Sequence, residues 1–526
     1  MPDQHTDDEA AMPSQDDDQL LSLGHAPQLH RSFSFLSMLG LAFAVLNSWT
    51  ALAASISLAL PSGGSSAVVW GLVVAGICNW CLSVSLSEFL SAFPTAGGQY
   101  HWVAFVSPPG YRRIFSWVTG WINVGGWIAL SAAAGLLSSQ LIVGMIALYH
   151  PSYKTERWQQ FLIYMGYALW SFTMNAFGTK FLPVANKFSF FWSILGLAAI
   201  CITVLATKSP DFADAKWVFG NFINKTGWPD GIAWLMGLLQ GSFGLTAYDA
   251  VAHMIEEIPN PSVQGPRIMN ASIIVGILTG FIFLVVLMFV SGGQEYLEDV
   301  IFSPMTPLVR IFKIATDNNA AAVCLTMFPL VCPVFAALGS STTSSRMTFA
   351  FAREQGLPGS KYLAHVHPTL KLPLNALILT TTLVVIFGLV FLGSSSAFSA
   401  ITSAATIALN LSYGIPIAIN CCQGRAKLPD RAYRLGPVLG WTANLVGVSY
   451  VILTTVLFFF PPVVPTTGTS MNYAIVVFAI WLTICMVYWF VAGYKTYQGP
   501  VLDHGADQLA PVVSEKSYAV EVKEES

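Results

Sequence analysis

Charge is what this chain has least of. Only 10% of its 526 residues are Asp, Glu, Lys or Arg, 54% are hydrophobic, and the mean hydropathy is +0.62. Soluble domains carry about 25% charged residues, so the shortage excludes a water-soluble globular chain and implies many membrane crossings. The formal net charge of -3 sits in loops and tails. No basic face follows a phosphate backbone, which excludes nucleic acid as a partner. The N-terminus, "MPDQHTDDEAAMPSQDDDQLL", lacks the basic-then-apolar order of a cleaved signal. Residues 1–33 and 495–526 read as disordered tails. Metal chemistry is missing too. The eight cysteines are scattered, and "CNWC" at Cys78–Cys81 has no second pair to complete about four ligands, so it reads as two small side chains in a helix. Cys421 and Cys422 sit where a membrane edge would let them be acylated. "HMIEE" meets no zinc-protease pattern, and no nucleophile–base pair emerges, so neither an enzyme nor a cofactor is expected.

What the chain has instead is apolar runs. A crossing helix needs about 20 mostly apolar residues. Twelve such runs fall near 35–60, 68–93, 115–149, 158–177, 182–206, 231–257, 270–292, 319–350, 374–392, 396–420, 437–460 and 472–494. With twelve spans both tails share a side. The loops on that side hold Arg112, Arg113, Lys180, Arg267, Arg353, Lys361, Lys371, Arg425, Lys427, Arg431 and Arg434, whereas 61–67, 393–395 and 461–471 hold no Lys or Arg. Positive charge near span ends favours the cytoplasm, so both termini are expected there. Asn224-Lys225-Thr226 then lies outside, as a glycosylation acceptor.

One stretch breaks the apolar pattern. "GSFGLTAYDAVAHMIEEIPNP", residues 241–261, carries Gly241 and Gly244, then Asp249, His253, Glu256 and Glu257, at the depth of the sixth span. Irregular backbone is tolerated there only inside protein or along a wet cavity, so the glycines are expected to break the helix and turn a half-helix N-terminus toward that cavity. Asp249, His253 and Glu256 share a helix face. A carboxylate at mid-span costs about 2.5–3.5 kcal/mol and marks a pathway. The first span offers a partner: Asn47, Ser48, Trp49, Thr50 and Ala51 are unusually polar for lipid depth, and spans one and six stand five apart, as two inverted five-helix repeats require.

Several motifs agree on a family. "SLSEFLSAFPTAGGQYHW" (85–102), "EEIPNPSVQGPR" (256–267) and "SSRMTFAFAREQGLPGSKYLAHVHPTLKLP" (344–373) resemble the amino acid–polyamine–organocation permease superfamily. "NSWTALAASISLALPSGG" and "GLTAYDAVAHMIEEIPN" resemble its fungal branch of choline and GABA permeases, and the likeness covers residues 33 to 495. The resemblance implies an all-α membrane fold of twelve transmembrane helices. Ten form two inverted repeats, 34–206 and 231–420, joined by an extracellular loop at 207–230; the two peripheral helices occupy 421–494. It also implies alternating access, with a substrate site lined by Asn47, Ser48, Trp49 and Thr50 from span one and by Ser242, Phe243, Gly244, Thr246 and Asp249 from span six. Trp121 and Asn123 on span three and Ser341 and Thr342 on span eight are further positions, and Phe243 falls where the family places a gating aromatic. One departure stands out: many relatives have glycines in the span-one break, and here none lies between Gly40 and Gly63.

The substrate expected is a small amine or amino acid such as choline or GABA. Trp49, Trp121, Phe243 and Tyr248 are candidate aromatic walls for a cation, with Asp249 as counter-charge. An amino acid would instead set its carboxylate on the half-helix N-terminus. Proton coupling could use Asp249, His253 or Glu88, the last equally suited to anchor its turn; sodium coupling would use span-one carbonyls and hydroxyls of "GSSTTSSR" (339–346). The reading is a secondary active importer in the plasma membrane, whose rivals are an exporter and a sensing receptor.

Overall fold

In hydrocarbon the backbone has no water to bond, so a chain this apolar must close its hydrogen bonds within helices. The computed structural model describes residues 34–150, 152–153, 156–303, 305–393, 397–468 and 470–500, and among them there is no strand. The expected tails lie outside the described residues, except for 495–500. Span one is α1 (Phe35–Leu46) and α2 (Ser48–Ala54). It runs on into α3 (Ile56–Ala92), which bends at Gly64 (φ 64°), so its first turns finish span one and the rest makes span two. There follow α4 (Gln99–Val106), α5 (Arg112–Tyr149), α6 (Arg157–Phe177), α7 (Leu182–Lys208), α8 (Ala215–Gly220), α9 (Asp230–Gly244), α10 (Ala250–His253), α11 (Pro261–Val290), α12 (Gly293–Phe302) and α13 (Pro307–Thr316). The chain continues through α14 (Asn319–Arg353), α15 (Ser360–Leu363), α16 (Leu374–Gly393), α17 (Ala397–Cys422), α18 (Pro437–Leu457) and α19 (Ala474–Tyr488).

Helices stand at every expected span position. Nine among the described residues are long and apolar enough to cross a membrane. The sixth falls short because it is interrupted: α9 stops after 15 residues and α10 has four.

The helices sort into two layers. α1, α2, α3, α9 and α11 pack on one another, as do α5, α6, α14 and α16. α7 bridges the layers by touching α1 and α14, and α17 lies between α5, α18 and the inner turns of α9. α19 packs on α5 and α17 and turns Ile475, Ile480, Ile484 and Val487 outward. Such exposed aliphatic stripes suit lipid and not water.

The breaks are real but not where the glycines put them. Span one breaks at Asn47, which takes the left-handed conformation (φ 49°, ψ 32°) between α1 and α2. Asn tolerates that region better than most residues, so Asn47 takes the place of the missing glycine, two residues before the Trp49–Ala51 stretch that corresponds to the relatives' break. Span six breaks over Leu245–Asp249, and the residue with positive φ is Ala247 (φ 81°). Gly241 and Gly244 remain helical. A Cβ on Gly241 would meet Ala75 Cβ at 2.9 Å, and one on Gly244 would meet Leu52 Cγ at 2.6 Å. They are small so that α9 can lie against α3 and α2. The break in span six is not followed by a long half-helix, since α10 has four residues.

Candidate functional site

The break in span six builds the most polar point of the core. Asp249 precedes α10 at full burial, but its side chain bonds none of that helix's backbone amides. Its carboxylate accepts from Gln99 Nε2 at 2.8 Å, from the Tyr413 hydroxyl at 2.5 Å, and lies 3.3 Å from His253 Nε2. Gln99 comes from α4, which reaches in from the loop after span two, and Tyr413 from α17. Asn123 of α5 donates to Gln99 Oε1 at 2.7 Å and stands 3.4 Å from His253 Nε2. His253 turns Nδ1 to the carbonyl of Ala96 at 3.0 Å, and Trp127 meets its ring edge-on at 5.7 Å.

This geometry can hold a proton in two ways. Nδ1 faces a carbonyl and must donate. Nε2 faces an acceptor, Asp249 Oδ2, and a donor, Asn123 Nδ2, at nearly equal distance. With a proton, Nε2 is served by Asp249; without one, by Asn123. The ion pair and the neutral ring therefore each have a partner in place. Around the pair, Tyr413 and Tyr248 are the nearest other titratable groups, their rings 5.0 Å apart. Glu256 accepts from the Ala96 amide at 3.1 Å, one peptide away from the carbonyl that holds His253.

Above the break, away from the arginine-bearing loops, a cavity of about 380 Å³ opens. Its lining includes Ser57, Pro61 and Ser62 after span one, Met236 and Leu239 of α9, and Phe398, Ser399 and Ser403 of α17, with Phe458 and Phe460 closing one side. Among the described residues, no Asp, Glu, Lys, Arg or His lines it. Phe243 lies one turn beyond Leu239 on the same face and is buried, so it stands beneath the cavity toward Asp249.

The opposite end is shut by charge. Glu257 pairs with Arg346 of α14 at 3.1 Å, and Glu256 with Arg353 at 3.6 Å, joining the two layers. His101 of α4 bonds Glu354, to which the Tyr100 hydroxyl also donates at 3.2 Å. Glu88 receives Arg425 at 2.6 Å, Arg431, and the amide of Leu435 at 3.0 Å. That is an anchor for the loop after α17. The same carboxylate, after burial, helps push the hydroxyl of Tyr433 on that loop upward in pKa.

The structure brings Asn123, Asp249 and His253 together, with Ser242, Phe243 and Thr246 close above. Ser242 accepts from Asn410 of α17 at 3.1 Å, and Thr246 bonds back to the Ser242 carbonyl. Other candidates are spent elsewhere. Trp49 donates to Ser193 at 2.8 Å and packs edge-on against Phe283, and Ser48 meets Thr279 at 3.3 Å. Thr50 bonds the side chain of Asn47 across the span-one break. Trp121 packs among Trp117, Trp481 and Tyr488 on the outer side of α5; Trp127, six residues on, is the tryptophan that meets the site. Thr342 donates to Asn175 of α6 at 2.5 Å, and Ser341 lines a niche of about 20 Å³ with Tyr164 and Ser171. Both face away from the breaks. Asn224 uses its side-chain amide on the Trp228 carbonyl at 2.6 Å and on Asp230 at 2.9 Å. Sequence reasoning missed Gln99, Asn410 and Tyr413. The polar step Ser403, Thr406, Asn410, Tyr413 in an apolar run was the available signal.

Two interrupted helices, a buried acid–imidazole pair, a cavity at one end and ion pairs sealing the other define a membrane carrier. A profile described as amino acid permease matches residues 33–481, and the chain belongs to that family of transporters. It is 32% identical to a choline transporter of Saccharomyces cerevisiae over 89% of this chain and 83% of that protein. It is 34% identical to a putative amino acid/polyamine transporter of Macrophomina phaseolina, covering 83% and 96% of the two chains. An amino-acid permease of Arabidopsis thaliana is 30% identical over 94% and 98%.

Proposed function

We propose that this permease is a secondary active importer of a small amine or amino acid, with the cation choline the first candidate and the zwitterion GABA the second, working by alternating access across the plasma membrane. In this reading all twelve helices cross, in two inverted repeats and a peripheral pair. Both termini are cytoplasmic, the cavity is extracellular and the Glu–Arg pairs form the closed inner end. The observation that carries the choice of substrate is the cavity lining. Among the described residues it offers Phe398, Phe458 and Phe460 and no charged side chain. An amino acid would bring a carboxylate with no cation to meet it, whereas a fixed ammonium needs only aromatic faces, each worth about 0.5–2 kcal/mol. The likeness to a choline transporter supports the same choice. A membrane potential adds about 2.3 kcal/mol per 100 mV for each cation drawn inward.

The coupling ion in this reading is a proton held between Asp249 and His253. Glu88, fixed by two guanidinium groups, serves structure. Sodium is disfavoured because Ser341 and Thr342 turn toward α6. Uptake of radiolabelled choline and GABA, side by side in cells lacking their own carriers, at two pH values and with or without sodium, tests all three parts. Saturable, acid-stimulated choline uptake without sodium dependence is expected. GABA uptake with none of choline would overturn the substrate. Uptake of neither, with the protein at the surface, would turn the reading to export or sensing.

A further inference from the structure

We infer that one face of α17 is the route by which a proton passes from the cavity to Asp249, with Asn410 as its positioning residue; this rests on the reading of Asp249 and His253 as the proton site. Ser399, Ser403, Thr406, Asn410 and Tyr413 recur at steps of three and four, so they form one stripe along the helix. Its upper end is the cavity, which Ser399 and Ser403 line. Its lower end is the Tyr413 hydroxyl, which donates to Asp249 Oδ1 at 2.5 Å. From Ser403 to Tyr413 the path is about 15 Å at 1.5 Å per residue.

Two atoms on the stripe give it a function beyond packing. Ser403 Oγ and Asn410 Oδ1 are fully buried and have no hydrogen-bond partner among the described residues. A buried polar atom left unpaired costs about 1–3 kcal/mol, so such atoms call for an explanation. Each would receive a hydrogen bond from a water or hydronium in single file. Asn410 is held in place from the other side, because its Nδ2 donates to Ser242 of α9 at 3.1 Å. An amide does not carry the proton; it fixes the water that does.

Tyr413 completes the transfer. Its oxygen accepts from the Ala247 amide at 3.2 Å and has one lone pair left. A hydronium gives its proton to that oxygen while the existing O–H proton moves to Asp249 Oδ1. Water and a neutral carboxylic acid result, Tyr413 stays neutral with its O–H now turned to the water, and one positive charge has moved from the chain to the pair. The acid then faces His253 Nε2 across 3.3 Å. The other ionisable groups around this point are Tyr248, which neighbours Tyr413, and Glu256, which is occupied by Ala96 and Arg353.

The test does not need the substrate. Purified protein in proteoliposomes is given an acid jump on the cavity side, and the carboxylic-acid infrared band of Asp249, assigned by its loss in Asp249→Asn, is followed in time. Asn410→Leu should slow the appearance of the band by about tenfold or more, the loss expected of an unpaired relay. Asn410→Asp, which keeps an acceptor at that point, should restore most of the rate, and Tyr413→Phe should slow it as Asn410→Leu does. A band that forms at the wild-type rate in both Asn410→Leu and Tyr413→Phe overturns the route but leaves the proton site. No Asp249 band in wild type between about pH 4 and pH 8 overturns the proton site itself, and the route with it.

Discussion

Arg346→Ala should tip the carrier toward the state in which its arginine-bearing end is open. Glu257 and Arg346 lie 3.1 Å apart with side chains 7% and 12% exposed, and they join α14 to the segment after α10. Removing the guanidinium leaves Glu257 buried and alone while that end is shut, yet hydrated once it opens. Breaking such a pair costs about 3–5 kcal/mol, and the residual exposure argues for the lower figure. About 3 kcal/mol is a factor of about 150 in the equilibrium between the two states. Even from a starting ratio of 99 to 1, that factor leaves the cavity-open state below half of the population. The assay is labelling of a Ser57→Cys variant by a membrane-impermeant thiol reagent, because Ser57 is exposed on the cavity wall. Labelling above the background of the parent protein should fall by about twofold or more when Arg346→Ala is added. The exchanged pair Glu257→Arg with Arg346→Glu should recover much of it. If Arg346→Ala labels and transports at the parent rate, the pair is not a latch and the two-state argument fails.

Three further perturbations separate site from scaffold. Asp249→Asn should lower uptake by about tenfold or more at an unchanged amount of surface protein, because the charge is lost and the amide nitrogen faces a donor in either orientation, Tyr413 in place of Oδ1 or Gln99 in place of Oδ2; unaltered kinetics would remove Asp249 from the mechanism. Gly244→Ala puts a methyl 2.6 Å from Leu52 Cγ, an overpacking cost of about 1–3 kcal/mol. Slower transport should follow, and a second change, Leu52→Ala, should relieve it; no rescue would mean that the α9–α2 contact is not the cause. Glu88→Gln leaves Arg425 and Arg431 facing a neutral amide, which should lower the melting temperature and the surface amount while the remaining protein keeps its substrate affinity. Loss of uptake at full surface amount would instead return Glu88 to the coupling machinery.

The positions of the spans were legible because hydrocarbon imposes one demand, a run of apolar residues, that is written locally. Asp249 and His253 were legible for the opposite reason: charge at lipid depth is conspicuous wherever it occurs. What surrounds them was not. Gln99 meets Asp249 across 150 positions of sequence, and Tyr413 meets it across 164. Gln99 is not unusual in its own segment, and the polar step that carries Tyr413 does not say which helix it faces. α13 was missed although Leu308, Ile311, Phe312 and Ala315 recur at helical spacing and are all buried; ten residues were too few to count as a span. The tryptophans failed for a different reason. With 16 of them in the chain, residue type carries little information, and only the turn of α5 decides that Trp127 faces the site while Trp121 faces α19.

The misplaced breaks carry a mechanistic point. Had glycines made them, the interruption in span six would be a property of the local sequence and would persist in every state. Instead the left-handed residue is Ala247 (φ 81°), a conformation that costs an L-residue with a Cβ about 1–3 kcal/mol and survives only when its surroundings enforce it. What enforces it here is visible: the Ala247 amide donates to the Tyr413 hydroxyl at 3.2 Å, and that hydroxyl donates to Asp249 at 2.5 Å. One oxygen thus holds both the backbone break and the carboxylate. A change in the charge of Asp249 alters the hydrogen bond that keeps Tyr413 in place, and through it the restraint on Ala247. If Asp249 takes the coupling proton as proposed, this contact links proton binding to helix geometry, as a proton-driven carrier requires. A break made of glycine would have been easier to form and would have had nothing to report.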